Sequence, residues 1–290
     1  MIEEKHIPVL LSKVIEGLNL KNDSTVVDAT VNGGGHAREI LKRIGQEGKL
    51  IGLDWDSGMV EKLQKDLGGE KRVKLFHSNF SELEKVAGSF RPDAILFDLG
   101  LSSLQLLASG RGFSFKADMG LKMTFDLNQR PNAEEFIRIA HVKDLEEVIR
   151  KYGEERFAGR IARAIAEYRA KKRITSAKEL SEIILRVVPR RGRINPATRT
   201  FQALRIYLNH ELENIESGLA GAWKIVKPEG RIAVIAYHSL EDRIVKKFFK
   251  EKAKGEQGKL INKKPIVPNR EEILENPRSR SAKLRIIEKN

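Results

Sequence analysis

Three consecutive glycines follow a β-branched run that breaks at an acid, in Thr25-Val26-Val27-Asp28-Ala29-Thr30-Val31-Asn32-Gly33-Gly34-Gly35-His36. The pattern reads as strand, glycine loop and helix start. A loop without Cβ atoms lets a ligand reach the backbone, and the first N–H groups of a helix attract an electronegative group. That is the chemistry of a nucleotide-type cofactor site. Lys49-Leu50-Ile51-Gly52-Leu53-Asp54 is a second apolar strand ending in an acid. It lies where a doubly wound fold places its ribose-binding carboxylate, roughly 20 residues after the loop. A glycine-rich turn that holds no ligand would explain the first signal alone, but not the two in register.

The glycine spacing narrows the cofactor. A dinucleotide site uses G-x-G-x-x-G to bring backbone against a pyrophosphate; here Gly33, Gly34 and Gly35 are contiguous, and Thr30 and Asn32 stand where earlier glycines would be. S-adenosylmethionine carries a ribose, an adenine and an amino-acid carboxylate but no phosphate, and the acid-led loop fits it better. Asn32 is compatible with a positive φ, which asparagine visits more readily than other non-glycine residues.

Further strands must position this loop. Val73–Ser78 and Asp93–Gly100 read as a third and fourth strand, and Gly230–Tyr237 as a fifth, near-continuously apolar as in a parallel sheet covered by helices. The segments 260–267 and 283–288 read as a final antiparallel pair, giving a mostly parallel seven-stranded sheet. More than a hundred residues separate the fourth and fifth strands, far beyond an ordinary crossover. We therefore expect a core of residues 1–105 and 201–290 and an inserted helical domain over 106–200. Helices are expected over 133–139, 144–152, 154–169 and 176–187, the last capped by Ser176 and stopped by Pro189. One continuous helical pattern runs from Phe201 to Val226, and a basic helix from Ser239 to Lys252.

The chain has 290 residues, 40% of them hydrophobic, enough to bury a substantial core. No apolar run reaches the ~20 residues that span a bilayer, and the N-terminus lacks a basic region followed by an apolar core. A cytoplasmic protein without membrane contact is expected. The formal net charge of +14 is uneven: residues 151–205 carry an excess of ten positive charges and residues 243–290 an excess of nine, while the remainder sums to −5. Clustered positive charge points to a phosphate backbone, against the alternative of a solvated helix face. No His, Asp and Glu cluster has metal-ligand spacing, so no catalytic metal is expected.

Six ordered motifs carry a family resemblance. They are Asp28–His36, Asp98-Leu99-Gly100-Leu101-Ser102-Ser103-x-Gln105, Arg111-Gly112-Phe113-Ser114-Phe115, Tyr152-Gly153-Glu154-Glu155-Arg156-Phe157, Pro196-Ala197-Thr198-Arg199-Thr200-Phe201-Gln202 and His238-Ser239-Leu240-Glu241-Asp242-Arg243. Together they resemble the bacterial small-subunit ribosomal RNA cytosine-N4 methyltransferases, over essentially the whole chain. The resemblance implies a Rossmann-like class I methyltransferase core, S-adenosylmethionine as cofactor, and 16S ribosomal RNA or the assembled small subunit as partner. It implies that Gly34, Gly35 and His36 line the methionine end of the cofactor, that Gly33 belongs to the same cofactor-binding loop, that Asp54 binds ribose, that Phe80 lies by the adenine, and that Asp98 and Gln105 complete the pocket. Asn32 and Gly33 depart from the pattern, since relatives more often have Gly followed by a polar residue.

The residues bear on the reaction independently. Methylation at cytosine C5 generally uses a cysteine nucleophile, and this chain has none; an exocyclic nitrogen or a ribose hydroxyl remains. Asp98, ending the fourth strand, can accept the proton of an amino group or act as a base after transfer, or it can simply cap the strand. His238 can touch substrate or cap the basic helix. For RNA, Arg190, Arg191, Arg193 and Arg199 lie in a Pro/Gly-broken stretch where several guanidinium groups can meet phosphates.

Overall fold

Each of the five apolar runs sends alternate side chains to opposite faces, which suits central strands covered on both sides. The computed structural model describes residues 7–100, 110–114, 120–126, 128–189 and 195–290. Its strands are β1 (Thr25–Asp28), β2 (Lys49–Asp54), β3 (Val73–His77), β4 (Ala94–Asp98), β5 (Arg231–Ala236), β6 (Gly258–Leu260) and β7 (Lys283–Lys289). They form one sheet in the order β3-β2-β1-β4-β5-β7-β6. β1 to β5 run parallel, and β7 is antiparallel to both of its neighbours.

Period-two alternation builds two apolar layers. Val26, Leu50, Leu96 and Ile235 meet Val14 and Leu18 of α1 (Leu11–Leu18), Ile40 of α2 (Gly35–Arg43) and Leu63 of α3 (Ser57–Leu67). Val27, Ile51, Ile95, Phe97 and Val234 face the opposite layer, with Leu83 of α4 (Leu83–Ala87). Burying each such side chain contributes ~1.5–3 kcal/mol, so a one-residue slip of any strand is strongly disfavoured.

Among the described residues of the long connection five helices follow: α5 (Ala133–Ile139), α6 (Val142–Gly153), α7 (Ala158–Arg169), α8 (Ala177–Val187) and α9 (Thr198–Leu208). Then come α10 (Glu211–Ile225), α11 (Ser239–Lys254) and α12 (Arg270–Glu275). α10 and α11 complete the second layer through Leu219, Trp223, Val245 and Phe249.

The chain divides into two compact units, residues 1–100 with 212–290 and residues 101–211. The insert is therefore longer than 106–200. α9 stays with the helical unit because the Tyr207 ring lies 4.9 Å from that of Phe136 and 5.9 Å from that of Tyr152. Gly153 approaches α9 so closely that a Cβ there would stand 2.6 Å from the Arg199 carbonyl oxygen.

Three other expectations change. The pattern 201–226 is two helices, broken at Asn209-His210, where His210 has φ +51°. The helix expected from residue 154 begins at Ala158, because Glu154 adopts φ +48° and ends α6, and the Glu155 carboxylate accepts the Phe157 N–H. The strand expected over 260–267 is not formed as such: β6 ends at Leu260, and an isolated bridge joins Ile266 to Leu284. There the Asn262 side chain takes the place of backbone, accepting from Ile286 N and donating to Leu284 O, and Pro265 has no N–H to give. Ser176 caps α8 as expected, its Oγ accepting from Glu179 N at 3.2 Å. Among the described residues no helix is long and apolar enough to cross a membrane.

Candidate active site

Strand order reverses between β1 and β4, so a crevice opens beyond their carboxyl ends, the usual ligand position in such sheets. Asp28 ends β1, Asp54 ends β2 and Asp98 ends β4. All three are buried. The loop after β1 is stitched across them. Ala29 N donates to Leu96 O and Val31 N to Leu53 O, both at 2.8 Å, and Asp98 N donates to Thr30 Oγ1 at 2.6 Å. Asn32 adopts φ +46°, as the sequence suggested; its N–H donates to Asp54 Oδ2 at 2.8 Å and its Nδ2 to Thr30 O at 2.9 Å.

The glycines are held by protein neighbours as well. Gly34 has φ +76° and precedes the first residue of α2; a Cβ on it would stand 2.5 Å from Leu63 Cδ2, and one on Gly35 3.1 Å from Pro8 Cβ. The Gly33 carbonyl accepts Arg38 Nη1 at 2.7 Å. Small residues at 34 and 35 are thus required by packing, whatever else approaches the loop.

The carboxylates are electrostatically unsettled. Burial pushes Asp28 up to about 8; the Thr30 N–H offsets part of this, while the charges of Asp98 and Asp54 add to it. Burial likewise raises Asp54 to about 6, against hydrogen bonds from the Asp56 and Asn32 N–H groups. Among the described residues His77 offsets part of the rise at Asp54, and no Lys or Arg does so at either group. A cation in the crevice would favour the ionised form of both groups and so offset the cost of their burial. S-adenosylmethionine fits that requirement, since its sulfonium and ammonium groups are cationic, and each Asp54 oxygen retains acceptor capacity beyond its one N–H for ribose hydroxyls.

His36, in the first turn of α2, is buried, with Nε2 3.0 Å from Val9 O and Nδ1 3.6 Å from Asp98 Oδ2. Phe80 lies just past β3, but its ring is taken up by protein contacts: it meets Phe97 edge-on at 5.7 Å, and Gly218 approaches so closely that a Cβ there would stand 2.8 Å from it. His238 is the cap of α11. Its Nδ1 accepts Glu241 N at 3.3 Å, and Glu241 Oε2 accepts the N–H groups of Tyr237 at 2.7 Å and His238 at 3.2 Å. Arg199 is exposed on α9 and donates to Glu154 O at 3.1 Å. Gln105, Arg190, Arg191 and Arg193 lie outside the described residues.

Two residues at this edge escaped the sequence reading as site residues. In the sequence Asp28 reads only as the leader of the loop. Tyr237, directly after β5, donates its hydroxyl to Asp98 Oδ1 at 2.7 Å. An aromatic residue with a polar tip ending the fifth apolar run was the available signal.

The strand order, with an antiparallel β7 inserted between β5 and β6, and the acid-ended strands flanking the reversal define a Rossmann-like class I methyltransferase. The chain belongs to the MraW methylase family, whose model matches residues 3–290. It is 43% identical to Ribosomal RNA small subunit methyltransferase H of Caldicellulosiruptor bescii, over 98% of this chain and 99% of that protein. Identity to the protein of the same name in Clostridioides difficile is 42%, over 99% of this chain and 100% of that one. A solved structure of a rRNA methylase from Streptococcus thermophilus aligns over 96% of this chain and 93% of its own, with 12% identity and a TM-score of 0.43.

Proposed function

We propose that this chain transfers a methyl group from S-adenosylmethionine to the exocyclic N4 of a cytosine in the decoding region of small-subunit (16S) ribosomal RNA, free or within the assembled subunit. The observation that carries the reading is the set of buried carboxylates at the ends of β1, β2 and β4, in a chain of the MraW methylase family. S-adenosylmethionine supplies an electrophilic methyl on a sulfonium centre. Asp54 would bind its ribose, Gly34, Gly35 and His36 its methionine end within the loop that includes Gly33, Phe80 would lie by the adenine, and Asp98 and Gln105 would complete the pocket.

The N4 lone pair of cytosine is delocalised into the ring, so the amino group has to be held in line with the methyl. Such positioning supplies ~7–11 kcal/mol of a barrier. With the methyl group supplied by bound S-adenosylmethionine, the Asp98 carboxylate would accept the proton that N4 gives up on becoming methylated. Two hydrogen bonds that hold Asp98 support this reading: its N–H donates to the Thr30 hydroxyl, and its Oδ1 accepts the Tyr237 hydroxyl. The helical unit would hold the RNA, through Arg190, Arg191, Arg193 and Arg199. A second basic surface is the exposed face of α11, where Arg243, Lys246, Lys247 and Lys250 recur at helical spacing. A ribosomal substrate implies a cytoplasmic place of action.

The test uses labelled S-adenosylmethionine and small subunits from cells that lack the modification, followed by mass spectrometry of the nucleosides. N4-methylcytidine is expected. Label in a ribose methyl or at C5, or no transfer to RNA at all, would overturn the reading.

A further inference from the structure

Tyr237 is held from three directions. Its N–H is fixed by Glu241 Oε2, the same oxygen that closes the cap of α11. Its ring lies against Gly100, where φ is +107° and a Cβ would stand 3.1 Å from Tyr237 Cδ2, so residue 100 has to be glycine for two separate reasons. Its hydroxyl reaches Asp98 Oδ1 at 2.7 Å, a short hydrogen bond to a carboxylate. On the other carboxylate oxygen, Oδ2, the His36 Nδ1 stands 3.6 Å away. Because His36 Nε2 has a carbonyl acceptor, Val9 O at 3.0 Å, that nitrogen carries the ring proton in the neutral imidazole, which leaves Nδ1 as an acceptor facing Asp98.

From this arrangement we infer that Tyr237 is a positioning residue for methyl transfer, its hydroxyl fixing the Asp98 carboxylate as the proton acceptor at the crevice. The inference rests on the function proposed above. The charged surroundings agree with it. Asp98 is faced by His36 of α2, by Asp28 at the end of β1 and by Tyr237, and Tyr237 is faced by Asp98, Glu241 of α11 and Glu272 of α12. Burial and these carboxylates push the Tyr237 hydroxyl well above its ordinary range, so it stays protonated and remains a donor throughout the working pH range.

The test is Tyr237→Phe in the full-length protein, which removes the hydroxyl and keeps the ring. With small subunits and labelled S-adenosylmethionine, kcat is expected to fall about 10- to 100-fold, the value of one hydrogen bond to a charged group, with KM for S-adenosylmethionine unchanged. Losing an O–H donor disfavours the ionised carboxylate, so the acid limb of the kcat–pH profile should move to higher pH. A parent-like profile, or a loss equal at every pH, would overturn the inference, because a merely structural role predicts one of those. Gly100→Ala provides a second route, since its Cβ would displace the ring; it should move the acid limb in parent protein but add no further movement in Tyr237→Phe. Additive movement of the limb in the double variant would also overturn it. Failure of the parent itself to transfer methyl to RNA would instead sink the proposed function, and this inference with it.

Discussion

The two ends of one sheet treat charge in opposite ways. At the amino end of β2 and β3, a cleft of about 290 Å³ is lined by Lys49, Lys71, Arg72, Lys74 and Phe90 among others. Two of its cations have partners on the spot. Arg72 bonds both oxygens of Glu70 at 2.8 and 3.0 Å and also the carbonyls of Leu41, Ile44 and Gly45. Lys74 lies 5.1 Å from the centre of the Phe90 ring. Glu70 is accordingly held below the usual carboxylate range by Arg72. At the carboxyl end, Asp28 and Asp54 are buried and raised to about 8 and about 6. At one end a guanidinium group holds a carboxylate in its ionised form, whereas at the other burial favours the protonated carboxyl groups, whose ionised forms a bound cation would stabilise.

Asp98→Ala should break the carboxyl end most severely. Methyl transfer is expected to fall about 10²- to 10⁴-fold, the range of a lost proton acceptor, with a smaller loss of S-adenosylmethionine affinity by calorimetry. Near-normal turnover would make Asp98 a strand cap. Asp54→Ala should weaken cofactor binding by ~1.5–3 kcal/mol for each charge-assisted hydroxyl bond lost, while RNA affinity stays intact; equal cofactor affinity in mutant and parent would remove Asp54 from the site. Replacing Arg190, Arg191 and Arg193 together by Ala should reduce the salt dependence of RNA binding by about 2 to 3 units of slope. If the slope stays the same, the exposed face of α11 becomes the RNA surface to mutate.

The comparison also predicts opposite pH signs in thermal melts. Asp28 has a folded pKa of about 8 against an ordinary value of 3.8, so between these values the folded state binds the extra proton and stability falls as pH rises. Asp28→Asn should therefore stabilise the protein at pH 8 relative to the parent, with the difference vanishing towards pH 4. Glu70 has a lowered pKa, so its contribution is present above the ordinary carboxylate value and is lost on acidification. Glu70→Gln should give the smallest effect, a slight destabilisation at neutral pH that disappears in acid, with cofactor affinity untouched. The same sign in both variants would dissolve the contrast.

Local patterns carried the strands, the loop and the acid at the end of β2, because these depend on residue type and period. Val26 and Val27, or Leu50 and Ile51, announce a two-sided buried strand without knowledge of their partners, and Asn32 announced its own positive φ. The misread elements were settled by partners far along the chain. β6 was cut short by Asn262 bonding to β7, and α9 was assigned to the helical unit by Tyr207 meeting Phe136 and Tyr152. No sequence window contains those pairs.

Asp28, Asp98 and Tyr237 show the same division within the site. The sequence by itself determined that acids end β1, β2 and β4 and that a tyrosine follows β5, since side-chain chemistry and strand period are written locally. Only the tertiary structure decided that β4 lies beside β1 and β5 beside β4, which brings a hydroxyl at residue 237 within 2.7 Å of a carboxylate at residue 98. Burial, and with it the rise in the Asp28 and Asp54 pKa values, is a property of everything that surrounds a group, so it exists only once the chain has folded.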